Sequence, residues 1–155
     1  MDNSKSSAGY TSIKPVILAQ TDTTVGFLSQ DKNRLLHVKN RSSKKPFLKN
    51  VFDLKTLKTL TRVPRNIKKE IRRAKKTTYI IKNQAFRVAK LKTSSIIFDN
   101  LKWCYSTSAN KSGLGYDESF AKEMADIIVL NKYGLKEQNP SSLIKTNNKF
   151  KKRLR

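Results

Sequence analysis

Short apolar runs alternate with hydroxyl-rich and lysine-rich segments along the chain. Val16-Ile17-Leu18-Ala19 follows Pro15 and predicts a buried strand. It leads into Gln20-Thr21-Asp22-Thr23-Thr24-Val25-Gly26-Phe27, a hydroxyl-rich segment at the carboxyl end of an inner strand, where α/β proteins hold ligands. Leu35, Leu36 and Val38 predict a short helical turn over 31–39 with those residues facing inward. Residues 47–52 read as a second strand. Asp53 can cap a short helix whose Leu54, Leu57 and Leu60 form an apolar stripe. Pro64 suits the first turn of another helix, in which Ile67, Ile71 and Ala74 share one face. Lys68, Lys69, Arg72, Arg73, Lys75 and Lys76 fill the rest of that helix and give it a broad cationic surface.

The β-branched and aromatic stretch 77–82 predicts a strand, and 85–89 its partner across a turn at 82–84. Segment 94–101 fits either a helix or a strand. Residues 103–106 predict a strand, 119–125 a helix and 127–130 a strand. After Pro140, 141–144 and 149–154 predict two final short strands. Interleaved strands and helices imply an α/β (α+β) fold: a single domain with a twisted mixed sheet and helices on both faces. At 155 residues one domain can bury a real core. The expected organisation is a flexible N-terminus over 1–12 and a folded domain over 13–155.

Charge changes this picture. The chain carries 34 Lys and Arg against 11 Asp and Glu, a net charge of +23. Residues 31–92 hold 21 of those cations and only Asp31, Asp53 and Glu70 as acids. Such an imbalance costs self-repulsion and points to a polyanionic partner. The lone Cys104 excludes a disulfide within the chain and fits a reducing, cytoplasmic setting. Its apolar neighbours, Trp103 and Tyr105, suit a buried structural thiol. No run approaches the ~20 apolar residues of a membrane span, so no membrane partner is expected.

Two polar signatures stand about 70 residues apart. The first is Lys39-Asn40-Arg41, followed by Ser42-Ser43-Lys44-Lys45-Pro46. The second is Ser106-Thr107-Ser108-Ala109-Asn110-Lys111-Ser112-Gly113. Cations, hydroxyls, a carboxamide and a glycine turn suit a nucleotide triphosphate better than a metal cage or a Ser-His-Asp triad. Each segment also has a plainer reading: Lys39 and Arg41 as a solvated charge run, Ser108 and Asn110 as turn residues before Gly113. Asp22 can be a ligand or a turn former, and His37 reads as a helix-surface residue.

Taken in order, Thr21-Asp22-Thr23 with Gly26, Lys39-x-Arg41 with Pro46, Arg87, Thr107-Ser108-Ala109-Asn110-x-Ser112-Gly113 and Pro140-Ser141-Ser142 resemble the YrdC/YciO family, the threonylcarbamoyl-AMP synthases. The resemblance covers about residues 15–155. It implies a YrdC-like sheet with a concave basic cleft. The implied activity is that of a nucleotidyltransferase making threonylcarbamoyl-AMP from ATP, bicarbonate and L-threonine. This product serves the threonylcarbamoyladenosine (t6A) modification of tRNA by downstream t6A transferase proteins.

On that resemblance Lys39, Arg41, Ser108 and Asn110 are the catalytic candidates. Nucleotide contacts fall on Lys39, Arg41, Arg87, Thr107, Ser108, Asn110, Ser142 and Arg155, and L-threonine contacts on Thr21 and Thr23. Mg2+ is expected on the phosphates, with no protein metal site. The chain departs from the family pattern at Gln20, Val25, Ala74-Lys75-Lys76 and Lys145, and in a shortened 26–39 segment. These departures thin the expected threonine pocket and add positive charge. They motivate an alternative: a weakened enzyme that binds tRNA or double-stranded RNA through Lys68, Lys69, Arg72, Arg73, Lys75 and Lys76. A structural ribosome-associated or DNA-coating protein ranks last, because it leaves the hydroxyl-rich turns unexplained.

Overall fold

The computed structural model describes residues 14–89 and 101–155. The apolar runs become strands β1 (Ile17–Gln20), β2 (Val25–Ser29), β3 (Leu48–Val51), β4 (Thr77–Ile81), β5 (Gln84–Val88), β6 (Trp103–Ser108), β7 (Ile127–Val129), β8 (Ser142–Thr146) and β9 (Lys151–Arg153). The helices among the described residues are α1 (Lys32–Lys39), α2 (Leu54–Leu60), α3 (Lys68–Arg73) and α4 (Glu118–Met124). The expected N-terminal segment 1–12 and all but Leu101 of the ambiguous segment 94–101 lie outside the described residues.

The strands form one mixed sheet in the order β7-β1-β2-β6-β3-β5-β4-β8-β9. Three pairs are parallel: β1 with β7, β3 with β5 and β4 with β8. This is the predicted α/β architecture. Because side chains alternate along each strand, register assigns every residue to a face. Leu18, Phe27, Tyr105, Val51, Phe86 and Tyr79 fall on one face. Leu35 and Val38 of α1 and Ala121 of α4 pack there around Phe27. Leu54 and Leu57 of α2 and Ile71 of α3 pack there around Phe86 and Tyr79. All four described helices therefore share that face, whereas the sequence reading expected helices on both.

The helix ends follow their capping residues. Asp31 accepts from the backbone N–H of Asn33 and Arg34, Asp53 from Thr56, and Asp117 from Phe120. Asn40 ends α1 in the left-handed conformation at φ 48°.

Three sequence expectations change in detail. Residues 25–27, read as the end of a hydroxyl-rich segment, open a five-residue strand, Val25–Ser29, that is buried throughout. The helix expected from Pro64 to Lys76 is a 3-10 turn at Arg65–Ile67 followed by the six-residue α3. Lys75 and Lys76 lie beyond it, with Lys76 at φ 49° in the bend into β4.

Candidate functional site

The opposite face of the sheet carries the polar residues and a cavity. Register places Gly26, Ser106, Ser108, Leu48, Arg87, Ala85, Thr78 and Leu143 on it. They line a cavity of about 460 Å³ together with Thr21, Thr23, Thr24, Arg41, Pro46, Ser141 and Arg155. Gly26 keeps it open, because a Cβ there would stand 2.9 Å from the Thr107 carbonyl oxygen and 3.1 Å from Thr21 Cγ2.

The two signatures converge at its rim. Lys39 Nζ donates to Ser108 O at 2.9 Å, to Asn110 Oδ1 at 2.9 Å and to Asn110 O. The Lys39 carbonyl in turn accepts from Ser112 N–H at 3.3 Å. Ser108 Oγ donates to Asn110 Oδ1, while Asn110 Nδ2 donates to Lys111 O and Leu114 O. Lys39 is only 3% exposed. Burial, then repulsion from Arg41, lowers its ammonium pKa to about 8. Lys39 and Asn110 thus act as a tie between the segments and meet the cavity through Ser108.

The cations that line the cavity are guanidinium groups. Arg41 stacks over the Phe47 ring at 5.0 Å and donates from Nη2 to Pro46 O at 3.3 Å. Its buried Nε has no hydrogen-bond partner among the described residues, and burial holds its pKa below the ordinary value. Arg87, 5% exposed, donates from Nη1 to Thr23 Oγ1 at 3.0 Å. Its Nε lies 3.1 Å from Asp22 Oδ1, yet neither atom completes a hydrogen bond. The pair is a charge contact whose N–H does not point at the oxygen. Burial lowers the Arg87 pKa, and Asp22 opposes that shift. Arg155 donates from Nε to Ser141 O at 3.0 Å.

The threonines brace the turn between β1 and β2. Thr21 Oγ1 donates to Thr24 O at 2.7 Å, lies 3.2 Å from Thr23 Oγ1 and accepts from Thr23 N–H. Asp22, open from sequence between ligand and turn former, sits at that turn as the counter-charge of Arg87.

Four expected nucleotide contacts do not reach the cavity with their side chains: Lys39 and Asn110, which bind each other at the rim, and Thr107 and Ser142. Thr107 pairs with Phe27 and faces the helices, so its carbonyl is what borders the cavity. Ser142 pairs with Thr77 on the helix-bearing face, while Ser141 lines the cavity and shares a 2.8 Å hydrogen bond with Thr78 Oγ1. Ser106, named in the second signature but not among the expected contacts, also lines the cavity. Strand alternation with Ser108 is the signal that finds it. Val25, expected to thin the threonine pocket, points into the helix-side core instead. Exposed His37 and buried Cys104 match their sequence readings, the latter with its thiol pushed up to about 12 by burial. Of the expected RNA-contacting residues, Lys69, Arg72, Arg73, Lys75 and Lys76 are exposed and Lys68 is half-buried. No described helix is long and apolar enough to cross a membrane.

A concave, guanidinium-lined cavity on a nine-stranded mixed sheet defines the class: this is the YrdC/YciO-like α/β fold. Solved structures show this fold. The chain aligns over 91% of its length with half of the chain of P. abyssi Sua5 complexed with L-threonine (TM-score 0.71, 17% identity). It aligns over 92% of its length with 82% of E. coli YciO (TM-score 0.71, 19% identity). A third match, full-length HypF in its phosphate- and nucleotide-bound form, has 26% of its chain covered (TM-score 0.69, 15% identity). By sequence alone, the chain matches no family model and no curated protein.

Proposed function

We propose that the concave cavity binds ATP and L-threonine and forms threonylcarbamoyl-AMP. The observation that carries this reading is the pair of buried, unmatched guanidinium N–H groups, on Arg41 and Arg87, in a hydroxyl-lined cavity. An unsatisfied buried donor costs about 1–3 kcal/mol, and more when charged. An anion entering the cavity would meet the guanidinium charges of Arg41, Arg87 and Arg155 that line it. Support also comes from two matched folds: the Sua5 structure carries L-threonine, and the HypF structure carries phosphate and nucleotide.

In the proposed reaction the threonine amine and bicarbonate give a carbamate and water. A carbamate oxygen then attacks the α-phosphorus, the bond to the β-phosphate oxygen breaks, and pyrophosphate leaves. Both reacting groups are anions, so charge repulsion is the main obstacle. Arg41 and Arg155 would hold the triphosphate, with the Arg41 guanidinium giving forked contacts that an ammonium lacks. Arg87, half-neutralised by Asp22, would orient a carboxylate or carbamate beside Thr23. Lys39 would fix Ser108 and Asn110 and add its charge at the rim. Mg2+ would neutralise phosphate charge. The cavity's hydroxyls, carbonyls and guanidiniums fit a metal that arrives on the nucleotide.

The test is thermal denaturation with ATP, with and without L-threonine. A ligand at 100 times its Kd stabilises by about 2.7 kcal/mol, so each addition raises the midpoint visibly. Arg41→Met should abolish the ATP shift. A midpoint indifferent to ATP overturns the reading.

A further inference from the structure

Of the three guanidinium groups that line the cavity, that of Arg155 is the most exposed and has the least around it. Arg41 is stacked on Phe47 and Arg87 is buried, whereas Arg155 comes to the cavity from the hairpin of β8 and β9 at one end of the sheet. Its backbone is held by pairing with β8. Leu143 N–H donates to Arg155 O at 3.0 Å, and Arg155 N–H donates to Leu143 O at 3.3 Å. Where the guanidinium sits therefore depends on how β9 lies against β8.

β9 is three residues long, is exposed throughout and forms the edge of the sheet. So short a pairing at an edge frays readily. Asn147 fixes the turn that precedes it, accepting from the N–H groups of Lys149 and Phe150. That leaves the strand itself to be secured. Lys151 does so by donating from Nζ to Glu70 Oε2 at 2.8 Å, while Glu70 Oε1 accepts from Tyr79 Oη at 3.0 Å. Tyr79 is a buried residue of β4, and β4 and β9 flank β8 on either side. Register puts Tyr79, Ile144 and Arg153 on the helix-bearing face, which Lys151 shares by alternation. The Glu70 carboxylate thus reaches across β8 from α3 and clamps β9 to β4. The hydrogen bond from Lys151 holds its carboxyl below the ordinary range, so the clamp is charged at neutral pH. In α3, Glu70 stands among Lys68, Lys69, Arg72 and Arg73, yet its contact is with a lysine 81 residues away.

We infer that Glu70 is a positioning residue for nucleotide binding: through Lys151 it sets the lie of β9 and with it the place of the Arg155 guanidinium at the cavity. The inference rests on the nucleotide reading of that cavity. Glu70 is not among the residues lining the cavity and acts from the opposite face of the sheet.

The test is ATP titration calorimetry on the full chain, Glu70→Gln, Lys151→Met, Arg155→Ala and Glu70→Gln/Arg155→Ala, with amide hydrogen exchange at Leu143 and Arg155 measured without ligand. The sign of the effect separates the clamp from bulk charge. Glu70→Gln makes the chain more positive, so long-range attraction alone tightens ATP binding. Loss of the clamp should weaken it instead, by roughly three- to fivefold, the scale of a partly exposed ion pair. Lys151→Met should lose about as much. In the Arg155→Ala chain Glu70→Gln should cost nothing further, because both changes act through one guanidinium. The charge swap Glu70→Lys/Lys151→Glu should recover most of the loss. Exchange at Leu143 and Arg155 should quicken in Glu70→Gln and slow again in the swap. ATP binding that is unchanged or tighter in Glu70→Gln overturns the inference, as does a loss that persists without Arg155 or exchange that does not respond. A wild-type chain that ignores ATP overturns the nucleotide reading and the role given to Glu70 in it, while the exchange arm still reports whether Glu70 holds β9, so the two failures are distinguishable.

Discussion

Lys39→Met is the perturbation whose consequence follows most directly from the geometry. Methionine keeps most of the aliphatic stem and removes the three donors. Ser108 O, Asn110 O and Asn110 Oδ1 then lose a charged partner at once. An acceptor left without its partner costs about 1–3 kcal/mol. Two terms offset the sum: the buried ammonium no longer has to be desolvated, and water reaches the rim from the cavity. The net loss should be about 2–4 kcal/mol. For a domain of this size that lowers the midpoint by roughly 5–15 °C, read by calorimetry or urea unfolding. Asn110→Ala should be strongly non-additive with it, coupled by about 1–3 kcal/mol, because both changes cut the same tie. A Lys39→Met protein as stable as the wild type, or additive with Asn110→Ala, refutes the claim that this ammonium joins the signatures.

Other consequences are open to direct measurement. Lys39 is protonated below about pH 8 in the free protein. Bound phosphate favours the charged form, so ATP affinity should be level below pH 8 and weaken as pH rises above it. Lys39→Arg should flatten that profile in titration calorimetry. The same lowered pKa means that the folded chain binds fewer protons than the unfolded one between about 8 and 10.5, so the burial cost of this ammonium is relieved and stability rises across that window. Gly26→Ala places its Cβ 2.9 Å from the Thr107 carbonyl. It should cost about 1–3 kcal/mol in urea unfolding and reduce the ATP shift. Asp22→Asn strips the counter-charge from a guanidinium that is 5% exposed. It should destabilise by about 2–4 kcal/mol, and Arg87→Met in the same chain should recover part of that loss.

Much of the sheet was legible because β-branched and aromatic runs separated by turn residues leave few alternatives. The helix caps were equally plain at Asp53. Strand β2 was not, because it starts directly after the turn residues Thr23 and Thr24 and contains Gly26, whose weak strand preference is overridden by tertiary pairing with β1 and β6. The convergence of Lys39 with Asn110 was readable from residue types and order. Their mutual saturation was not, since it depends on how far the Lys39 side chain is buried. Register decided the rest. Ser106 and Ser108 face the cavity while Thr107 between them does not, and Ser141 replaces Ser142, because alternation on a strand is fixed by pairing partners that lie far away in sequence. The basic stretch 62–76 was visible as charge. Its division into a 3-10 turn at Arg65–Ile67 and the short α3 was not, because no apolar period announces it.

The most direct test of the proposed chemistry is pyrophosphate release by the purified chain given ATP, bicarbonate and Mg2+, with and without L-threonine. The account predicts release that requires both bicarbonate and L-threonine and is lost in Arg41→Met. Release that ignores L-threonine, or none under any of these conditions, contradicts it.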